Sequence, residues 1–219
     1  MQMMHTQPDG CLAMPPGGEG KGVLVLHAWW GLNDTVKAFC LQLAQAGFVA
    51  FAPDLYHGKV ADNVADAEAL GRALDSGHLQ AKAEIAQAVV FLGQHARQAD
   101  SLAVVGFSLG AYYALDLAAA DPDHIRSVIL FYGTGGGDFS RSRANYLGQF
   151  AENDEFEPQS SVDELEEALR RASRAVTFYR YSGSGHWFFE PDRVQAYNPQ
   201  ASNLAWERTL AFLRHTADL

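Results

Sequence analysis

The chain has 219 residues, 48% of them hydrophobic, enough to bury a sizeable core in one domain without covalent or metal staples. Sixteen basic against 26 acidic side chains leave a net charge of −10, which argues against nucleic acid or an anionic membrane as a partner. The only cysteines, Cys11 and Cys40, have no Cys or His neighbours at metal-ligand spacing; neither a disulfide framework nor a metal site is expected, and Cys40 reads as a small core group.

Residues 1–20 are rich in Pro and Gly and weakly patterned, with one short strand expected near Cys11–Met14. Met1-Gln2-Met3-Met4-His5 lacks a basic start followed by an apolar run, and no long apolar stretch follows, so a soluble, cytoplasmic protein is expected. Gly22–Ala28 reads as a buried strand ending in Trp29-Trp30-Gly31-Leu32. Asn33-Asp34 offers a helix cap; Val36, Phe39, Cys40 and Leu43 follow at helical spacing, and Gly47 ends the helix. Phe48–Ala52 is a third strand, residues 57–80 suggest helix and loop, and Ile85, Val89 and Leu92 mark one face of a helix over Leu79–Arg97.

Leu102–Val105 is a branched apolar run that enters Gly106-Phe107-Ser108-Leu109-Gly110, a G-x-S-x-G, followed by an alanine-rich helical stretch, Ala111–Ala118. Strand, sharp turn and helix in that order are what a nucleophile elbow needs, and a side chain at either glycine would collide with the neighbouring strand or helix. The plainer alternative is that Ser108 only caps the helix. Ser127–Tyr132 is a strand opening into Gly133–Asp138, a loop rather than a phosphate cradle, because no helix-opening G-K-[ST] follows. Asn145–Ala151 is a weaker strand ending in Glu152-Asn153-Asp154-Glu155; Ser161-Val162-Asp163-Glu164 reads as a capping box opening a helix. Ala175–Tyr181 is the last strand, leading through Ser182–Gly185 to His186, and a terminal helix carries Trp206, Leu210 and Leu213 on one face. Strands alternating with helices predict an α/β fold, one mostly parallel doubly wound sheet in a single domain over residues 1–219.

An alcohol needs a base, and the base needs a partner to fix its tautomer. Asp154 and His186 each follow a later strand, so both reach the sheet edge that carries Ser108. Asp154 has a rival in Glu152, within an acidic cluster that also reads as solvated charge. His186 sits in a Gly-Ser loop, yet Trp187-Phe188-Phe189 follow it, which a solvated linker would not carry. Negative charge developing on a substrate oxygen needs donors in place, supplied by the backbone N–H of Leu109 and of Trp29. His27 is expected in a supporting or core role, with substrate contact the lesser expectation. Trp30, Tyr132 and Trp187 are candidates for a substrate pocket or equally for the core, and His57 for a pocket wall. His5, His78, His95, His124 and His215 read as ordinary surface groups.

The segments V-L-V-L-H-A-W-W-G-L-N (23–33), A-P-D-L-Y (52–56), G-F-S-L-G (106–110), N-D-E-F-E-P (153–158), G-S-G-H-W-F-F (183–189) and N-L-A-W-E-R-T-L-A-F-L (203–213) together resemble the dienelactone hydrolase family of α/β-hydrolases. The resemblance implies a compact fold without a large cap domain, no cofactor, a nucleophile, acid and base at Ser108, Asp154 and His186, and oxyanion donors at Leu109 and Trp29. Two departures stand out. The best-known members use cysteine where this chain has Ser108, and they place a glutamate where it has Ala28. An arginine that helps hold the substrate carboxylate in those members falls at Glu190, so an anionic lactone is not the expected substrate. The expectation is a serine hydrolase of small carboxylic esters or lactones. A thioesterase or acyl transferase on the same residues, and a non-catalytic ligand-binding member, remain alternatives. The oligomeric state is not legible.

Overall fold

A computed structural model describes residues 7–216, so the start of the weakly patterned segment, with His5, lies outside the described residues. The elements run β1 (Gly10–Ala13), β2 (Gly22–Leu26), α1 (Asp34–Gln45), β3 (Val49–Pro53), α2 (Val64–Ser76), α3 (His78–His95), β4 (Leu102–Phe107), α4 (Leu109–Ala120), β5 (Ile125–Phe131), β6 (Asn145–Ala151), α5 (Gln159–Arg171), β7 (Val176–Tyr181) and α6 (Pro199–His215). The seven strands form one sheet in the order β1-β3-β2-β4-β5-β6-β7, parallel except for β1, which pairs antiparallel with β3.

Every residue of β2, β3 and β4 is buried, because helices cover both faces and the strands must be apolar on both. Alternation divides them: Leu24 and Leu26 pack with α3, α4 and α5, while Val23 and Val25 pack on the other side with α1 and α6. The chain steps from β2 outward to β3 and then returns across β2 to β4, so the winding reverses between β2 and β4. A crevice opens at the carboxyl ends of strands flanking such a reversal. Trp29 follows one of those strands and Ser108 the other.

Four local expectations are corrected. Strand β2 stops at Leu26, two residues early, and β4 runs on through Gly106 and Phe107, both paired with β5. Helix α5 starts at Gln159, before the Ser161 box, because the Pro158 carbonyl already accepts from the N–H groups of Ser161 and Val162. The buried face of α6 is Ala201, Ala205, Thr209 and Leu213 rather than Trp206 and Leu210, which are half-buried at its edge. There the Gln149 amide, buried on β6, donates to Ala205 O at 3.1 Å and Thr209 Oγ1 at 3.3 Å.

The elbow glycines behave as steric reasoning requires. A Cβ on Gly110 would meet the Leu26 and His27 carbonyls, and one on Gly106 the Gly110 carbonyl and Ala111 backbone. Gly110→Ala therefore pushes α4 off β2. We expect a loss of about 3 kcal/mol, read by calorimetry as a Tm lower by roughly 6–12 °C at this chain length. Gly136, where a Cβ has nothing within 4 Å, is the control and should show no comparable drop on substitution by alanine.

Candidate active site

Ser108 sits between β4 and α4 at φ 48°, ψ −112°, a strained conformation for a residue with a side chain. Its N–H donates to Phe131 O at 2.9 Å and its carbonyl accepts from Ala111 N–H at 2.8 Å, so the neighbouring strand and the first helical turn hold that conformation. Ser108 Oγ lies 3.0 Å from His186 Nε2. His186 Nδ1 lies 2.8 and 2.9 Å from the two Asp154 oxygens. The imidazole and carboxylate side chains are only 4% and 2% exposed. A carboxylate only accepts, so the His186 proton sits on Nδ1 and the Nε2 lone pair faces the serine hydroxyl.

The loops hold that hydrogen-bonded arrangement in place. Asp154 Oδ1 also accepts from the N–H groups of Phe156 and Glu157, both at 2.9 Å, which closes the turn after β6. Asn153 N–H donates to Ser184 O at 3.0 Å, and the Asn198 amide that caps α6 donates to Ser184 Oγ at 3.1 Å, pinning the loop before His186. Glu152, the rival acid, points elsewhere: its carboxylate accepts from Gly183 N–H at 2.9 Å. The Glu157 carboxylate takes the Thr134 N–H and hydroxyl, tying the Gly133–Gly137 loop down beside the site.

Among the described residues, neither the Leu109 N–H nor the Trp29 N–H has a backbone acceptor. Leu109 opens α4, where the helix dipole adds to the donor. The pocket candidates fall into two groups. His27, Trp30 and Tyr132 are each 2% exposed or less. The His27 Nδ1 bonds Ala28 O at 2.7 Å, and burial pushes its ionisation down, which keeps the ring neutral. Trp187 is half-buried and stacks on Trp29 at 6.0 Å between ring centroids. His57 lines a groove with Tyr56, Leu74 and Glu84, a wall separate from the serine–histidine pair.

Two residues sit at the site in ways the sequence reading does not anticipate. Phe156, 49% exposed, lays its ring 5.0 Å from both His186 and Trp187 and 5.7 Å from Trp29. Its one sequence signal is an apolar residue inside an acidic loop. Glu190, the departure from the resembled pattern, is 4% exposed and accepts the Tyr132 hydroxyl at 2.7 Å. Burial, together with the neighbouring Asp192 charge, pushes its ionisation up to about 8, opposed by the Tyr132 bond and Arg193. In the unfolded chain the same group titrates near its ordinary value of 4.5. Between the two the folded state holds the extra proton, so stability falls as pH rises through that window. We expect the Tm of Glu190→Gln to lose less between pH 5 and 8 than the parent's; equal slopes would contradict it.

No group of three or more His, Cys, Asp or Glu that could hold a metal is found among the described residues, and no helix there is long and apolar enough to cross a membrane. A serine at a strained strand-to-helix turn, bonded to a histidine and through it to a carboxylate from later strand ends of one mostly parallel sheet, defines an α/β-hydrolase. The family model of the dienelactone hydrolase family matches residues 9–217, and the chain belongs to that family, hydrolases of ester or lactone bonds. It is 33% identical over 213 residues to protein usf of Aquifex pyrophilus, covering 94% of this chain and 92% of that one. It is 30% identical over 212 residues to a protein of Bradyrhizobium sp. named as a probable 2-oxo-3-(5-oxofuran-2-ylidene)propanoate lactonase, covering 90% and 84%. Among solved structures, a dienelactone hydrolase-like promiscuous phosphotriesterase from metagenomic libraries superposes with a TM-score of 0.84 at 20% identity, over 94% of this chain and 91% of that one; that likeness speaks for the fold alone.

Proposed function

We propose that the protein hydrolyses small, uncharged carboxylic esters or lactones through an acyl-enzyme on Ser108. What supports the reading is one observation: His186 stands between the Ser108 hydroxyl, at 3.0 Å, and the Asp154 carboxylate, at 2.8 Å. In the proposed cycle His186 Nε2 takes the hydroxyl proton as Ser108 Oγ bonds the substrate carbonyl carbon. The carbonyl oxygen gathers charge against the N–H groups of Leu109 and Trp29. The carbonyl–alkoxy bond then breaks, and the leaving alkoxide takes the proton from His186. Water repeats the steps in reverse roles and frees the acid. Asp154 holds the Nδ1 tautomer and stabilises the imidazolium.

The preference for uncharged substrates rests on the net charge of −10 and on the aromatic wall that Trp29, Phe156 and Trp187 form beside the serine–histidine pair. A panel of esters and lactones graded in size and charge tests it. Short neutral p-nitrophenyl esters and neutral lactones are expected to turn over with higher kcat/KM than matched carboxylate-bearing substrates. A panel without one hydrolysed member contradicts the function, and a preference for the anionic members contradicts the substrate class.

A further inference from the structure

Three rings face His186: Tyr132 at 5.0 Å, Phe156 at 5.0 Å and Trp187 at 5.1 Å. Two of these residues carry backbone strain, Tyr132 at φ 36° and Trp187 at φ 64°. Strain of this kind costs about 1–3 kcal/mol per residue and persists only where surrounding contacts over-determine it. For Tyr132 those contacts are clear. Its N–H donates to Gln149 O at 2.9 Å, its ring is wholly buried against Phe188, and its hydroxyl donates to Glu190 Oε1 at 2.7 Å.

Glu190 lies four residues beyond His186, in a turn closed by its own N–H on Trp187 O at 2.9 Å and by Arg193 N–H on the Glu190 carbonyl at 3.0 Å. The Tyr132–Glu190 bond therefore crosses from the end of β5 to the loop that carries the imidazole. The residue after Tyr132, Gly133, abuts the Ser108 backbone closely enough that a Cβ would strike it. The bond thus couples the serine and histidine supports from behind the relay. Burying a carboxyl for packing alone is costly, and an apolar residue would fill the same space more cheaply.

Resting on the reading of Ser108 as nucleophile and His186 as base, we infer that Tyr132 and Glu190 form one positioning unit, whose phenol-to-carboxyl bond holds the imidazole in register with the serine hydroxyl. The unit touches neither substrate nor the reacting atoms; it acts through His186. The groups facing Glu190 are Tyr132 from the end of β5 and Asp192 and Arg193 from its own loop, while Asp154 acts on the Tyr132 end of the bond. The phenol donates to Glu190 in either protonation state of the carboxyl, so the bond itself does not depend on pH; ionisation adds only a buried charge beside Asp192.

The test compares Tyr132→Phe, Glu190→Leu and Glu190→Gln with the parent, using p-nitrophenyl acetate and normalising to folded protein by near-UV circular dichroism. Tyr132→Phe and Glu190→Leu are expected to lose about 10- to 100-fold in kcat with KM unchanged, the scale of a misplaced base. Glu190→Gln, which keeps an oxygen acceptor for the phenol, is expected to restore most of kcat. Parental kcat in both Tyr132→Phe and Glu190→Leu overturns the inference, as does a change confined to KM or a Glu190→Gln protein as slow as Glu190→Leu. Those failures leave the nucleophile assignment standing if Ser108→Ala is inactive; an active Ser108→Ala removes that assignment instead.

Discussion

Ser108→Ala is expected to lower kcat for a p-nitrophenyl ester by about 10⁴–10⁶ under the proposed mechanism, because removing the nucleophile from a triad costs about as much as removing the whole unit. The substitution keeps the side chain within the space already present. The oxygen it deletes makes one side-chain hydrogen bond, to His186. The Tm should therefore move by a few degrees at most. A chain that lost activity by unfolding would show the opposite pattern, and the two measurements together separate the cases. A thiol alkylator should leave the parent active, since Cys40 is wholly buried with its thiol ionisation pushed up and the half-buried Cys11 lies on the edge strand β1, away from Ser108.

Asp154→Asn comes next, at about 10⁴ in kcat with the fold intact. The reason lies in which oxygen is occupied. Asp154 Oδ1 already accepts the N–H groups of Phe156 and Glu157, so the amide keeps its carbonyl there and turns its NH₂ towards His186 Nδ1. A donor facing Nδ1 drives the ring proton to Nε2, against the serine, where the base is needed free. Glu152→Gln is the contrasting variant: its side chain accepts from Gly183 N–H and the Ser182 hydroxyl on the exposed side of the loop, and activity should stay within about twofold of the parent, as for an exposed polar contact. Equal losses in the two variants would move the acid role away from Asp154.

Much of this architecture is legible in the chain because parallel strands buried on both faces read as unbroken apolar runs; Gly22–Leu26 and Leu102–Phe107 are both fully buried. The elbow is legible for a local steric reason, the contact of Gly106 and Gly110 with backbone. Ser108, Asp154 and His186 can be placed at one sheet edge because each follows a strand of the same parallel sheet. What escapes the sequence is tertiary. The Ser161 box does not open α5, since the Pro158 carbonyl has already begun the helix. Phe156 looks like one apolar residue among acids until the fold brings it over His186. Glu190 stands out in the sequence only as an acid where the resembled family has an arginine, and the position of the Tyr132 hydroxyl shows that it is an interior group.

The central claim is that Ser108 becomes covalently acylated. Peptide mass mapping of the protein after reaction with a serine-directed p-nitrophenyl phosphonate tests it most directly. The adduct is expected on the peptide containing Ser108 alone, at one per chain, and to form far more slowly in His186→Ala. An adduct on another residue, or labelling of Ser108 at an undiminished rate without the imidazole, would contradict it.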